Sequence, residues 1–153
     1  GCGPTSRVQI PGGGLFGADI SHSYVSELSK TDCIGCVSDS RSLPFPENHF
    51  GAVWSIGLFH HLPDAVVTEA ISEMVRVCQK DGDVIICDGV YPVQWWRRPI
   101  PYFIRLADRG RFMRKQAAFE KLLPEGLNWS VERQTCAWNG LEMLLCVGRK
   151  EVC

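Results

Sequence analysis

Four short apolar runs punctuate this chain, and three of them are closed by an aspartate. Residues 15–18 run into Asp19, residues 33–37 into Ser38-Asp39, and residues 84–87 into Asp88-Gly89, while residues 50–56 close on Ser55-Ile56. Runs this short, bounded by turn residues, read as buried strands. Helical spacing separates them. Ser21 can cap a helix through residue 30, with Tyr24, Val25 and Leu28 on one side. From Asp64, a second N-cap, Val67, Ala70, Ile71, Met74, Val75 and Cys78 share one face until Asp81-Gly82 stops the helix. Strand, helix, strand, loop, strand, helix, strand is the rhythm of an α/β fold, a doubly wound and mostly parallel sheet.

The rhythm breaks at Tyr91. Residues 91–126 are rich in aromatics and arginine, with helical pieces expected over 102–107 and 115–123. Two β-type runs, 129–138 and 141–149, close the chain as an antiparallel hairpin joined at Asn139-Gly140.

Length and composition bound what such a chain can do. At 153 residues it reads as one domain, 1–153, large enough to bury a core. A net charge of −1 argues against a general nucleic-acid binder. No run reaches the roughly 18 apolar residues that a membrane span requires. The eight cysteines are scattered, mostly inside apolar runs, where a thiol acts as a small hydrophobe. Cys33-x-x-Cys36 is the one close pair and has no second pair at zinc-ligand spacing, so no metal site is expected. Buried free thiols point to a reducing, cytoplasmic location.

In an open α/β sheet, ligands bind outside the carboxyl ends of the strands. Those ends carry Asp19, Asp39, Ser55-Ile56 and Asp88. A Gly1-x-Gly3 pair upstream would let backbone approach a nucleotide closely, although Ser6 stands where a dinucleotide motif has its third glycine. His60 and His61 sit in the loop after residue 56.

These features together resemble the class I S-adenosylmethionine-dependent methyltransferases, in particular the type 11-like small-molecule group, whose sheet is Rossmann-like. The matching residues are Gly1-Cys2-Gly3-Pro4, Gly17-Ala18-Asp19-Ile20-Ser21, Ser38-Asp39 with Leu43-Pro44-Phe45, residues 50–55, His60-His61-Leu62, and the helix 70–78 ending in Asp81-Gly82. The resemblance implies S-adenosyl-L-methionine as cofactor. Gly1 and Gly3 would face its methionine and ribose parts, and Asp19 would accept from the ribose diol. Ile20 would pack on the adenine, Asp39 with Ser40 nearby would accept its amino group, and Ser55 and Ile56 would border the methyl-bearing sulfonium. His60 or His61 would serve as base. The family's first strand should precede Gly1, so the resemblance implies a chain truncated at its N-terminus. Only fifteen residues separate Gly3 from Asp19, which leaves the family's first helix very short or absent.

Residues 90–128 stand where the family builds its substrate cover. There Trp95 and the aromatics after it are interleaved with Arg97, Arg98, Arg105 and Arg109. This composition suits an anionic or lipid-linked acceptor and a peripheral membrane contact through 91–115. Two other readings stand beside the methyltransferase: an NAD(P)-dependent oxidoreductase, from the glycine pair and Asp19, and a non-catalytic nucleotide-binding module. The oligomeric state is not legible.

Overall fold

The computed structural model describes residues 2–3, 14–94, 96, 99–107, 110–136 and 140–150, the side chain of Ala107 excepted. They form two compact units, Gly1–Phe45 and Pro46–Cys153.

In the first unit, β1 (Leu15–Asp19) and β2 (Cys33–Val37) pair in parallel and are joined by α1 (His22–Leu28). Ser21 caps α1 as its sequence suggests, its Oγ accepting from the Tyr24 N–H, but the helix ends at Leu28, two residues before the expected end. The register sets Gly17 opposite Gly35. A Cβ on Gly17 would collide with Leu28, and one on Gly35 would come within 2.8 Å of Val25 Cγ1. Val25 and Leu28 are the buried residues of α1. The paired glycines therefore let the helix lie directly on the two-stranded ladder.

The second unit is a mixed four-stranded sheet in the order β3-β4-β6-β5. β3 (Phe50–Ile56) runs parallel to β4 (Cys78–Gly89), which pairs antiparallel with β6 (Glu142–Arg149); β6 in turn pairs antiparallel with β5 (Asn128–Thr135). The closing hairpin is thus present. Its connection is wider than a two-residue turn: the last paired residues are Thr135 and Glu142, and the Cys136 N–H reaches the Leu141 carbonyl. Gly140 holds a φ of +68°, while Asn139 lies outside the described residues.

A single 3-10 turn (Phe59–His61) precedes α2 (Asp64–Val77). Val67, Ala70, Ile71, Met74 and Val77 are its buried side. They join Phe59, Val84, Ile86, Val90, Phe119, Leu144 and Cys146 in the core of this unit. Burial of each large aliphatic side chain is worth about 1.5–3 kcal/mol.

Two expectations about α2 need correction. Pro63, not Asp64, is the N-cap, and Asp64 is the first helical residue. Cys78 is extended and opens β4, so the helix stops before Asp81-Gly82. Those two residues instead fall where the β3–β4 register shifts between Phe50 and Ala52, with Asp81 at a φ of +64°. The Lys150 ammonium donates to the Val75 and Cys78 carbonyls, satisfying groups left open by the helix end.

After β4 come α3 (Pro99–Ala107) and the short α4 (Gln116–Glu120), both near the expected helical pieces. Among the described residues no helix is long and apolar enough to cross a membrane.

Candidate functional site

In the first unit, parallel pairing brings the ends of β1 and β2 to one edge, and the Ser38 N–H bonds the Asp19 carbonyl there. Cys2 runs beside β1, its N–H donating to the Ala18 carbonyl. That pairing brings Gly3 to Asp19: the Gly3 N–H donates to Asp19 Oδ2 at 3.0 Å, and the Ser21 N–H to Oδ1 at 2.9 Å. Gly3 has a φ of +64°, a conformation that favours glycine, and a Cβ there would meet nothing within 4 Å. Its need for glycine is conformational. Each Asp19 oxygen accepts one backbone donor in these bonds, which leaves lone pairs directed elsewhere. A diol offering two short O–H donors fits that remaining capacity. Ile20, next along, is exposed, as a side chain meant to pack on a ligand would be.

Asp39 stands two residues beyond β2, with half-buried Ser40 after it. Its Oδ1 accepts the Arg41 backbone N–H at 2.9 Å, and Oδ2 accepts from Arg41 Nη2 at 2.8 Å. The bonds from Arg41 hold the Asp39 carboxyl at about 2, well below its ordinary value of 3.8. Arg41 thus takes up part of the carboxylate edge that an adenine amino group would use.

In the second unit, Ser55 and Ile56 end β3 beside the end of β4. Ser55 Oγ is buried and makes no hydrogen bond among the described residues, whereas Ile56 is exposed. A buried hydroxyl without a partner is a group that a polar ligand could satisfy. Around the corner, Asp88 is 1% exposed and organises the loop. Its Oδ2 accepts the Phe59 N–H at 2.6 Å, and its Oδ1 accepts the Gly89 N–H at 2.7 Å and meets His60 Nδ1 at 2.6 Å. A carboxylate only accepts, so Nδ1 carries the proton toward it and Nε2 is the ring nitrogen left to take another.

The backbone holds the same ring in place. Gly110 is buried against it, where a Cβ would collide with His60, and the Phe112 N–H donates to the His60 carbonyl at 3.0 Å. His61 is exposed, with its ring centroid 4.0 Å from that of His60. The sequence ranks the two histidines equally. Of the two, His60 is the one whose ring is held by a buried carboxylate.

Two arginines of the basic segment turn inward. Arg105 is 7% exposed; its guanidinium packs against the Gly89 backbone and donates to the Glu142 carbonyl at 3.0 Å. Arg114, which sequence reading did not separate from its neighbours, donates to the Phe59 and Leu62 carbonyls and to Asp64. Sequence reading also left Asp88 without a partner, although the aspartate closing an apolar run was a visible signal. Gly1, Trp95, Arg97, Arg98 and Arg109 lie outside the described residues. No cluster of three His, Cys, Asp or Glu side chains is placed to hold a metal among the described residues.

Comparison with known proteins follows the same lines. The profile of a family described as a methyltransferase domain matches residues 1–86. A tRNA (carboxymethyluridine(34)-5-O)-methyltransferase of Arabidopsis thaliana is 34% identical over 88 residues, which are 56% of this chain and 22% of that protein. The chain therefore spans about a fifth of the length of this curated relative. A SAM-dependent methyltransferase structure from Methanosarcina mazei superposes with a TM-score of 0.72 at 12% identity, over 99% of this chain and 91% of that one. A geranyl diphosphate methyltransferase, solved with GPP and sinefungin, gives a TM-score of 0.71 at 12% identity, over 98% and 70% of the two chains. These structures share the Rossmann-like fold.

Proposed function

Because the chain belongs to the methyltransferase-domain family, among the class I S-adenosylmethionine-dependent enzymes, we propose that it methylates a small-molecule acceptor that is anionic or lipid-linked. Methyl transfer itself goes with the family. The observation that supports cofactor binding by these residues is the Gly3–Asp19 contact, a glycine backbone drawn to a strand-end carboxylate with lone pairs to spare.

When bound, S-adenosylmethionine supplies an electrophilic methyl group on a sulfonium. In the first unit, Asp19 and the Gly3 backbone would hold the ribose, Ile20 would pack on the adenine, and Asp39 and Ser40 would read its edge. In the second unit, the resemblance gives Ser55 and Ile56 the role of bordering the methyl-bearing sulfonium, and the buried, unpartnered Ser55 hydroxyl supports a polar ligand there. His60 Nε2 is the group that would take the acceptor's proton. Asp88 holds the imidazole oriented and stabilises the cation that forms, a division of labour familiar from histidine bases paired with carboxylates. Orientation of the two reactants can supply several kcal/mol of what a protein adds to such a displacement.

The cover segment supports an anionic acceptor: seven of the chain's sixteen Lys and Arg residues lie within 97–115. The same fold holds an isoprenoid diphosphate in the geranyl diphosphate methyltransferase. Free cysteines, seven of them among the described residues, agree with a cytoplasmic setting. The Arabidopsis relative motivates a second reading, in which the acceptor is RNA.

Calorimetric titration with S-adenosylhomocysteine and with NAD tests the cofactor. Binding of the first and not the second is expected, and Asp19→Asn should weaken it roughly 10–100-fold by losing charge-assisted hydrogen bonds. Binding of NAD alone would overturn the reading in favour of an oxidoreductase. Labelled methyl transfer into tRNA, with none into lipid or small-molecule extracts, would overturn the acceptor class.

A further inference from the structure

Helix α3 is built inside out. Its one strongly buried residue among the described side chains is the charged Arg105, whereas Ile100, Phe103 and Ile104 are 72%, 65% and 43% exposed. Those three stand at i, i+3 and i+4, so they form one continuous stripe on the helix. Leu106 is exposed at 51%, and Trp96, three residues before the helix, at 62%. Scattered apolar residues on a surface need no explanation, but a contiguous stripe does. Inward placement of Arg105 rules out a simple rotation that would bury the stripe, because its guanidinium is fixed on the Gly89 backbone and the Glu142 carbonyl.

The charge around the stripe indicates what covers it. Residues 97–115 hold seven of the sixteen basic residues of the chain but one of its seventeen acids, Asp108. Arg105 and Arg114 are turned inward, and Arg111 and Lys115 are exposed. A short apolar helix face with an indole shortly before it, in a stretch of sequence rich in cations, has the composition of an interfacial membrane segment. A second copy of the chain would bring the same cations against themselves, whereas an anionic lipid surface complements them.

We propose that α3 docks this protein peripherally on anionic membranes, with Ile100, Phe103 and Ile104 entering the headgroup boundary and the neighbouring cations meeting lipid phosphates. Docking at this depth would bring the protein to lipid-linked molecules. It stands on the exposure of α3 and on the basic composition of residues 97–115, and not on the methyltransferase reading.

Flotation with vesicles of phosphatidylcholine alone, or mixed in equal parts with phosphatidylglycerol, tests it on the intact chain. Binding to the mixed vesicles and not to the neutral ones is expected, weakened but not abolished at physiological salt. The double variant Ile100→Ser/Phe103→Ser should lose about tenfold or more in vesicle affinity. Hydrogen exchange on the wild-type chain gives a readout that needs no variant: the amides of 99–107 should gain protection when mixed vesicles are added. The proposal is overturned if the wild type ignores anionic vesicles or if the double variant binds them equally well. It is also overturned if 99–107 is protected by raising protein concentration or by S-adenosylhomocysteine and not by vesicles; those results would identify a dimer face or a closing cover instead.

Discussion

Asp88 Oδ1 lies 2.6 Å from His60 Nδ1, and the carboxylate making that contact is buried and held by the Phe59 and Gly89 amides. A histidine anchored in this way has one ring nitrogen committed and the other free for proton transfer. His60→Ala should therefore lower the methyl-transfer rate by roughly 10²–10⁴, the range for removing a general base, while affinity for S-adenosylhomocysteine is retained. His61→Ala, at the exposed neighbouring position, should change the rate little. Initial rates read beside calorimetric binding check both. A His60→Ala enzyme that turns over normally would remove His60 from the chemistry.

Arg114 holds this loop from the other side. Its guanidinium spans the Phe59 carbonyl at 2.7 Å, the Leu62 carbonyl at 2.6 Å and Asp64 Oδ1, tying residue 114 to both the 3-10 turn and the start of α2. Arg114→Met should cost about 3 kcal/mol in urea denaturation, because buried carbonyls lose a charged donor. Arg114→Lys should recover less than half of that loss, since a single ammonium cannot reproduce the planar fork. Equal stability of the lysine variant and the wild type would show that charge alone, and not the fork, holds the loop.

Much of this was legible along the chain, and the illegible parts have a common cause. β3 occupies residues 50–56 and β2 residues 33–37 as expected, because continuous apolar runs between turn residues carry their own strand signal. The end of α2 was not legible. Cys78 continues the helical apolar face in sequence, and what marks the true end is Lys150, which bonds the Cys78 carbonyl from 72 residues away. The Asp88–His60 pair likewise joins residues 28 positions apart. Arg105 and Arg114 look like their basic neighbours in sequence, and only the packed fold turns them inward. Local pattern placed the elements, whereas the partners of Asp88, Arg105 and Arg114 depended on the fold.

At Asp39 the pairing is local and its consequence depends on acid. The Arg41 side chain and amide hold this carboxyl at about 2, below its ordinary 3.8. A folded value below the unfolded one means that the contribution to stability is complete above about pH 4 and is lost as pH falls toward 2. Asp39 is partly exposed, so that contribution is small. Arg41→Ala should raise the carboxyl partway toward the ordinary carboxylate range in a carbon-detected NMR titration, because the amide of residue 41 still donates to it. A midpoint that stays near 2 in the variant would mean that Arg41 is not the cause.

Cys146 acts at the opposite end of the pH scale. It is fully buried in the core with Leu144 and Ile86, and burial pushes its thiol from 9.0 up to about 12, with the nearby acids Glu120 and Asp88 adding to the effect. Burial raises Cys33, Cys78 and Cys87 in the same direction. Below about pH 8 these thiols are protonated in both folded and unfolded chains and contribute no pH dependence. Between 9 and about 12 the unfolded chain releases the Cys146 proton and the folded chain keeps it, so stability must fall as pH rises through that window. Urea midpoints should therefore be lower at about pH 10 than at about pH 8, and Cys146→Val should shrink the difference. Alkylation gives an independent check, because only thiolates react and only exposed ones are reached. Cys136, which is exposed, should be labelled in the native protein, and Cys146 only once urea has unfolded it. Rapid native labelling of Cys146 would mean that the sheet opens locally around β6, and the alkaline loss would then have to be assigned to the other thiols.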